Sequence, residues 1–389
     1  MANAGSIELF QRHGVALVLE HFGLWGGGMP KAAWLLAKEL RALGVPVSVS
    51  VLHTTVGDIE RARGIGIPVW RGWCRWGHRW RLPQRTLALA TIARAARRKH
   101  ALILGLGLDP LAAFLLASPL RRRFAVWECT EATPNNKFVW PGAVRRLHRG
   151  LAVLAPSQAI ETNVRATYAY SGPLIRLPFW IDAGEARGHE AGEQASETDF
   201  LFLGRKDPEK GLFELIRAFA EVLREQPRAR LTLCGTGADA PYAELIHSLG
   251  IQSQVRLTYL PDHEQVGSLI LRSRWLVLPS YHEGYPLTPL EGFARSRPVI
   301  VTAVGSVPEM CGGSPAALLI PPRDVAALRS AMLQALAEPA SEYRRRQREA
   351  YQCFDRLCSS AAIESNLSLA LAALAKQISE QHPAQFHAS

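Results

Sequence analysis

The chain has 389 residues, a formal net charge of +11 at pH 7, 48% hydrophobic residues and six cysteines. That length favours two or three domains, and the apolar fraction is normal for a globular protein with large cores, which excludes disordered and fibrous classes. Cys74, Cys129, Cys234, Cys311, Cys353 and Cys358 form no Cys-x-x-Cys pair and have no His-rich spacing beside them, so zinc is not expected and a reducing cytosol is.

The first residues lack the basic-then-apolar layout of a signal peptide. The most apolar run, residues 101–120, is interrupted by Gly105, Gly107 and Asp109-Pro110, and reads as strand, turn and helix rather than a membrane span. The positive charge is concentrated. Residues 61–108 hold Arg61, Arg63, Arg71, Arg75, Arg79, Arg81, Arg85, Arg94, Arg97, Arg98 and Lys99 with no Asp or Glu, a count equal to the whole net charge of +11. Such a field attracts anionic surfaces.

In chain order, residues 15–19 read as a buried strand. They run into a glycine-rich turn with Gly26, Gly27 and Gly28, then a helix with apolar Trp34, Leu35, Leu36, Leu40 and Leu43, closed by Gly44. Residues 45–52 are the next strand, completing a βαβ unit. The glycine run does not fit G-x-G-x-x-G, so a dinucleotide site is not inferred. Within residues 61–85, Trp70, Trp73, Trp76 and Trp80 alternate with arginine. That mixture suits an anionic membrane interface, a solvated basic face with core tryptophans, or base stacking, and nucleic acid is the least favoured. Residues 101–105, 124–127, 151–154 and 174–177 read as further short strands, with Ser157 as N-cap of a helix over 158–166.

Residues 183–198 are small, polar and acidic without periodicity, the clearest linker in the chain. A second α/β run follows. A strand over 200–203 leads into Gly204-Arg205-Lys206-Asp207-Pro208-Glu209-Lys210-Gly211. A helix with Leu212, Leu215, Ile216, Phe219 and Leu223 comes next. Strands are expected at 230–234, ending in Gly235-Thr236-Gly237, and at 255–260, 275–278 and 299–302. Helices are expected at 242–249, 324–336 and about 341–376. The domains are therefore residues 1–182, a linker 183–198, residues 199–355, and a C-terminal segment 356–389.

The whole second half is organised around residues 279–291, Pro-Ser-Tyr-His-Glu-Gly-Tyr-Pro-Leu-Thr-Pro-Leu-Glu. Glu283 falls on the turn after a strand and Glu291 in the helix that follows, so both can face the crevice at the carboxyl end of a parallel strand. Thr288 is a candidate early-turn or capping residue. Free backbone N–H groups near Leu287 and Thr288 would form an anion site. Carboxylates for hydroxyls beside donors for phosphate point to a nucleotide-sugar site.

Five segments now stand in order: Gly204 to Gly211, Gly235 to Gly237, Pro279 to Glu291, Arg297-Pro298-Val299-Ile300, and Gly305-Ser306-Val307-Pro308-Glu309. Together they resemble the family 4 (group 1) retaining glycosyltransferases over about residues 199–335. The first half is similar more loosely. The resemblance implies a GT-B fold of class α/β, two Rossmann-like domains facing across a cleft, with the last helix crossing back to the first. It implies that Arg205 and Lys210 hold the donor diphosphate and that Glu291 binds ribose hydroxyls. Glu283 would hold hydroxyls of the donor sugar. Gly27, Gly28, Gly204, Gly235, Leu260, Gly284, Tyr285, Pro286, Leu287 and Thr288 would line the donor site. Lys supplies a point charge and Arg a fork of donors, both suited to phosphate. No metal or other cofactor is expected if these cations and N–H groups neutralise the leaving nucleoside diphosphate.

One departure stands out. Many family members carry a His after the strand at 124–127, whereas this chain has Trp127-Glu128-Cys129-Thr130-Glu131. Glu128 or Glu131 would take its place, and Glu131 is slightly preferred. The expected activity is transfer of a hexose from a nucleotide sugar to a glycan or lipid-linked acceptor, in the cytoplasm or peripherally at the inner face of the membrane. Two other readings stay open: a nucleotide-sugar epimerase of GT-B fold, and a non-catalytic binding protein on a GT-B-like fold.

Overall fold

The computed structural model describes residues 4–23, 28–71, 100–106, 124–128, 152–182, 197–259 and 263–381. The chain divides into two compact units, Met1–Phe179 with Ile363–Ser389, and Trp180–Ala362. The boundaries thus fall a few residues from those expected. Residues 356–362 go with the second unit, and the first strand of that unit already starts at Thr198, inside the expected linker.

The first unit contains α1 (Ala4–His13), β1 (Val15–His21), α2 (Gly28–Ala42), β2 (Val47–His53), α3 (Val56–Gly64) and β3 (Val69–Arg71). It continues with β4 (Leu102–Leu106), β5 (Phe124–Trp127), β6 (Ala152–Ala155), α4 (Gln158–Tyr168) and β7 (Leu174–Arg176). Its seven strands form one sheet in the order β3-β2-β1-β4-β5-β6-β7, and every pairing is parallel. β4, β5 and β6 are buried at every position, as a parallel sheet covered on both faces requires, which is why they read as unbroken apolar runs. Ser157 caps α4, accepting from the Ile160 amide at 3.2 Å.

The second unit contains β8 (Thr198–Leu203), α5 (Leu212–Glu225), β9 (Leu231–Cys234), α6 (Ala240–Ser248), β10 (Val255–Thr258), α7 (His263–Leu271) and β11 (Ser273–Leu278). Then come α8 (Leu287–Phe293), β12 (Val299–Thr302), α9 (Val307–Cys311), β13 (Ala317–Ile320), α10 (Val325–Ala337) and α11 (Ala340–Cys358). Its six parallel strands run β10-β9-β8-β11-β12-β13. The order reverses between β8 and β11, so the two loops leaving those strands open side by side at a topological switch point. α5 buries Leu212, Leu215, Ile216, Ala218, Phe219 and Val222, one face at helical spacing.

α12 (Ser360–Gln381) belongs to the first unit for all but its first residues. Ser359, with φ −61° and ψ 150°, separates it from α11, where the sequence reads one helix over 341–376. Leu367, Ala370, Leu371 and Leu374 of α12 face Val15, Leu36, Leu40, Leu102, Leu104, Leu154 and Leu177 across a shared apolar space. By length and composition alone, residues 340–380 include a stretch apolar enough to cross a membrane. Its apolar stripe is already buried against the sheet, with Ile363, Leu367, Leu371, Leu374 and Ile378 at most 5% exposed. Six elements had no expectation attached to them: α1, α3, β3, α7, α9 and β13. Three of these, β3, β13 and α9, have five residues or fewer, too short for periodicity to register.

Candidate active site in the second unit

The loop after β8 carries Gly204 to Gly211, and a 3₁₀ turn at Pro208–Lys210 sets the position of Lys210. Gly211 ends that turn at φ +70°, and a Cβ there would stand 2.1 Å from the Pro279 carbonyl oxygen. A glycine is required on both grounds. The close approach brings this loop against the one leaving β11.

The contact is made in two places, Lys210 to Glu283 and Glu209 to Tyr281, and Ser280 braces the first from within the β11 loop. Lys210 Nζ lies 2.6 Å from Glu283 Oε1, with the two side chains 20% and 9% exposed. The Ser280 hydroxyl, fully buried, donates to the same Oε1 at 2.7 Å. The Tyr281 amide donates to the Glu209 carbonyl at 2.8 Å. Tyr281 is further held by its hydroxyl, which donates to Glu214 Oε2 at 2.6 Å, and by the Arg323 guanidinium 3.9 Å from its ring centre. Burial, and then the Glu214 carboxylate, push the Tyr281 phenol up to about 12, so it remains a donor at neutral pH.

Glu283 lies on the loop and Glu291 in α8, both 9% exposed. Arg205 points outward, 64% exposed on its side chain, and pairs with Asp207 at 3.0 Å. Glu209, the partner one would guess from spacing, gives its backbone to Tyr281 instead. Thr288 does not cap α8. The N-cap is Pro286, without a side-chain bond, and the Thr288 hydroxyl donates to the Leu203 carbonyl at 3.0 Å, tying α8 to the end of β8. α8 has seven residues, so its dipole is short and the positive charge of the site rests on Lys210 and Arg205.

The other described positions of the second unit lie at strand ends and in loops. The Gly204 amide donates to Cys234 O and the Gly235 amide to Thr258 O, each at 3.1 Å, at the ends of β9 and β10. The Gly284 carbonyl accepts from both the amide and the hydroxyl of Ser306. Gly305, at φ +53°, leaves no room for a side chain: a Cβ would sit 1.7 Å from the Glu283 carbonyl oxygen. Tyr285 and Leu287 are buried, and burial lifts the Tyr285 phenol above its ordinary range. Gly28 begins α2 in the first unit. Glu131, Gly27, Leu260 and all but Arg71 of the basic tryptophan-rich stretch at 71–85 lie outside the described residues. Glu128 is described and is 2% exposed at the end of β5.

Sequence reasoning missed three residues of this region. Ser280 and Tyr281 stand inside the 279–291 segment and were passed over as spacers. Lys206, next to Arg205, was not singled out although it is 4% exposed and ion-paired to Asp239 at 2.6 Å. A third cation in so short a loop was the available signal. Among the described residues, no group of three or more His, Cys, Asp or Glu is placed to hold a metal ion.

Residues 189–352 match the family described as glycosyl transferases group 1. That match lies wholly within the second unit. A glycogen synthase of Mycobacterium tuberculosis is 31% identical over 151 residues, which cover 38% of this chain and 36% of that protein. The chain thus spans about a third of the length of the first curated relatives it matches. Solved structures match over nearly the whole chain. A sucrose-phosphate synthase from Thermosynechococcus elongatus superposes with a TM-score of 0.74 at 20% identity, covering 97% of this chain and 100% of that one. Anabaena HepE, solved with UDP and glucose, gives 0.70 at 16% identity, covering 95% and 100%. The fold is GT-B: two Rossmann-like units of parallel sheet and a C-terminal helix returned to the first.

Proposed function

We propose that the protein is a retaining glycosyltransferase of family 4 that moves a hexose from a nucleoside-diphosphate sugar to a glycan or lipid-linked acceptor. The observation that carries this reading is the Lys210–Glu283 pair at the switch point between β8 and β11, with Arg205 and Glu291 on the flanking segments. A cation and a carboxylate held together at the carboxyl ends of parallel strands suit a ligand that offers both phosphate and hydroxyl groups.

In this reading Lys210 and Arg205 neutralise the departing diphosphate, Glu283 accepts hydroxyls of the donor sugar, and Glu291 accepts those of ribose. Retention follows when the acceptor attacks from the leaving-group face. The cations and backbone amides stabilise the growing negative charge, so metal-independent transfer is expected. Glu128, buried at the end of β5, joins Glu131 as a candidate for the polar contact that a His supplies in many family members. The UDP and glucose in the HepE structure support a uridine nucleotide as the first donor to try. A cytoplasmic protein peripheral to an anionic membrane fits the Arg/Trp stretch at residues 71–85.

A thermal-shift screen with UDP, GDP, ADP and TDP tests the reading. A ligand bound to the folded state alone stabilises it by about 2.7 kcal/mol at a hundredfold excess over Kd. A rise with one nucleotide, followed by transfer from the matching sugar donor to an acceptor, is expected. Release of nucleotide without transfer would replace the reading with an epimerase, and no rise with any nucleotide would replace it with a non-catalytic protein.

A further inference from the structure

Lys206 is the one buried residue between Gly204 and Lys210; its neighbours Arg205, Pro208 and Glu209 are exposed. All of its polar groups are engaged. Its amide donates to the Thr236 carbonyl at 2.6 Å, and its carbonyl accepts from the Tyr242 hydroxyl at 3.0 Å. Its ammonium donates to Asp239 Oδ1 at 2.6 Å and to the Thr258 carbonyl at 3.0 Å. These partners come from the end of β9, the start of α6 and the end of β10, so one residue just after β8, through its backbone and side chain together, ties the carboxyl ends of β8, β9 and β10. Asp239 occupies the N-cap position of α6 yet makes no capping bond, its carboxylate being turned to Lys206 instead. The Lys206 side chain is 1% exposed and Asp239 is 50% exposed. An ammonium that deep is costly to desolvate, and a methionine would fill the same space without the charge.

We infer that Lys206 is a positioning residue for phosphate binding. Through Asp239 and Thr258 it fixes the backbone from which Arg205 projects, and so sets where that guanidinium meets the donor diphosphate. Arg205 itself is 64% exposed, with Asp207 as its ion-pair partner, so its own side chain is held only weakly. The inference rests on the donor-site reading above and adds a residue that acts through Arg205 rather than on the ligand.

The test is a double-mutant cycle of Lys206→Met and Arg205→Ala, with UDP, GDP, ADP and TDP titrated by calorimetry. If Lys206 acts through Arg205, each single change lowers affinity for the preferred diphosphate about tenfold, and the double variant loses scarcely more than either alone. Additive losses would mean that Lys206 serves the fold in general, and would overturn the inference. Equal affinity of Lys206→Met and wild type would overturn it as well. Asp239→Ala removes the same bond from the exposed side and carries the cycle if Lys206→Met does not fold. Should wild type bind none of the four nucleotides, the donor-site reading fails and this inference falls with it. Nucleotide binding by wild type combined with additivity sinks this inference alone.

Discussion

At the scale of single residues, the site is a carboxylate whose geometry is imposed by two donors on one oxygen. Lys210 and Ser280 both reach Glu283 Oε1, at 2.6 and 2.7 Å. Replacing Lys210 with Met removes a charge from the proposed diphosphate site and leaves a nearly buried carboxylate short of its cation. Loss of one such pre-placed donor costs about 10²–10³ in kcat, and steady-state rates with the identified donor should show a fall of that size. Glu291→Ala is expected to weaken nucleotide binding with little change in acceptor KM; unchanged nucleotide affinity by calorimetry would remove Glu291 from the ribose role. The motif-bearing residues were legible because each type matches its chemistry. Tyr281 and Lys206 were not, because their partners stand 67 and 33 positions away in the chain; Ser280, whose partner is 3 positions away, was read as a spacer within the motif.

At the scale of elements, the site depends on loops packed more closely than side chains allow. Gly305→Ala would drive a Cβ into the Glu283 carbonyl at a position of φ +53°. A stability loss of about 1–3 kcal/mol by urea denaturation is expected, with activity falling further because Glu283 is displaced. Thr288→Val tests a quieter link. It removes the bond from α8 to the Leu203 carbonyl, and about 1 kcal/mol of stability should go with it. The longer strands and most of the long helices were readable from periodicity and capping, Ser157 most directly, whereas α1, α3 and α7 were not. Thr288 shows the limit of that logic. Its place early in a helix suggests a cap, but the hydroxyl finds a strand-end carbonyl that only the folded sheet brings near.

At the scale of the whole molecule, the chain closes on itself through α12, which leaves the second unit and packs on the sheet of the first. Leu371→Ala and Leu374→Ala each remove a buried leucine, 3% and 1% exposed, from that seam. A loss of about 2–5 kcal/mol per substitution is expected from cavity formation, measured as a lowered denaturation midpoint. Truncation after Ser359 should expose the groove lined by Val15, Leu36, Leu102 and Leu154, and raise binding of a hydrophobic dye such as ANS. The positive charge makes a separate prediction at this scale. If the arginines of residues 71–85 meet acidic lipid, sedimentation with anionic vesicles should fall as salt rises, since screening shortens to about 8 Å at 0.15 M. Association indifferent to salt would exclude that surface.

The α/β class, two successive runs of strand and helix, and the glycosyltransferase motifs of the second half follow from the sequence by itself. Apolar runs, glycine turns and motif spacing are local signals, and parallel strands buried on both faces leave strong ones. Tertiary structure alone decided which loops meet. Strand order places β8 beside β11 although about seventy residues separate them, and that adjacency turns Lys210 and Glu283 into a pair. It also decided that Ser359 breaks the C-terminal helix in two, that Thr288 ties rather than caps, and that Lys206 is buried while Arg205 is exposed. Each outcome depends on contacts between distant segments, and a linear pattern carries no information about those until the sheet order is known.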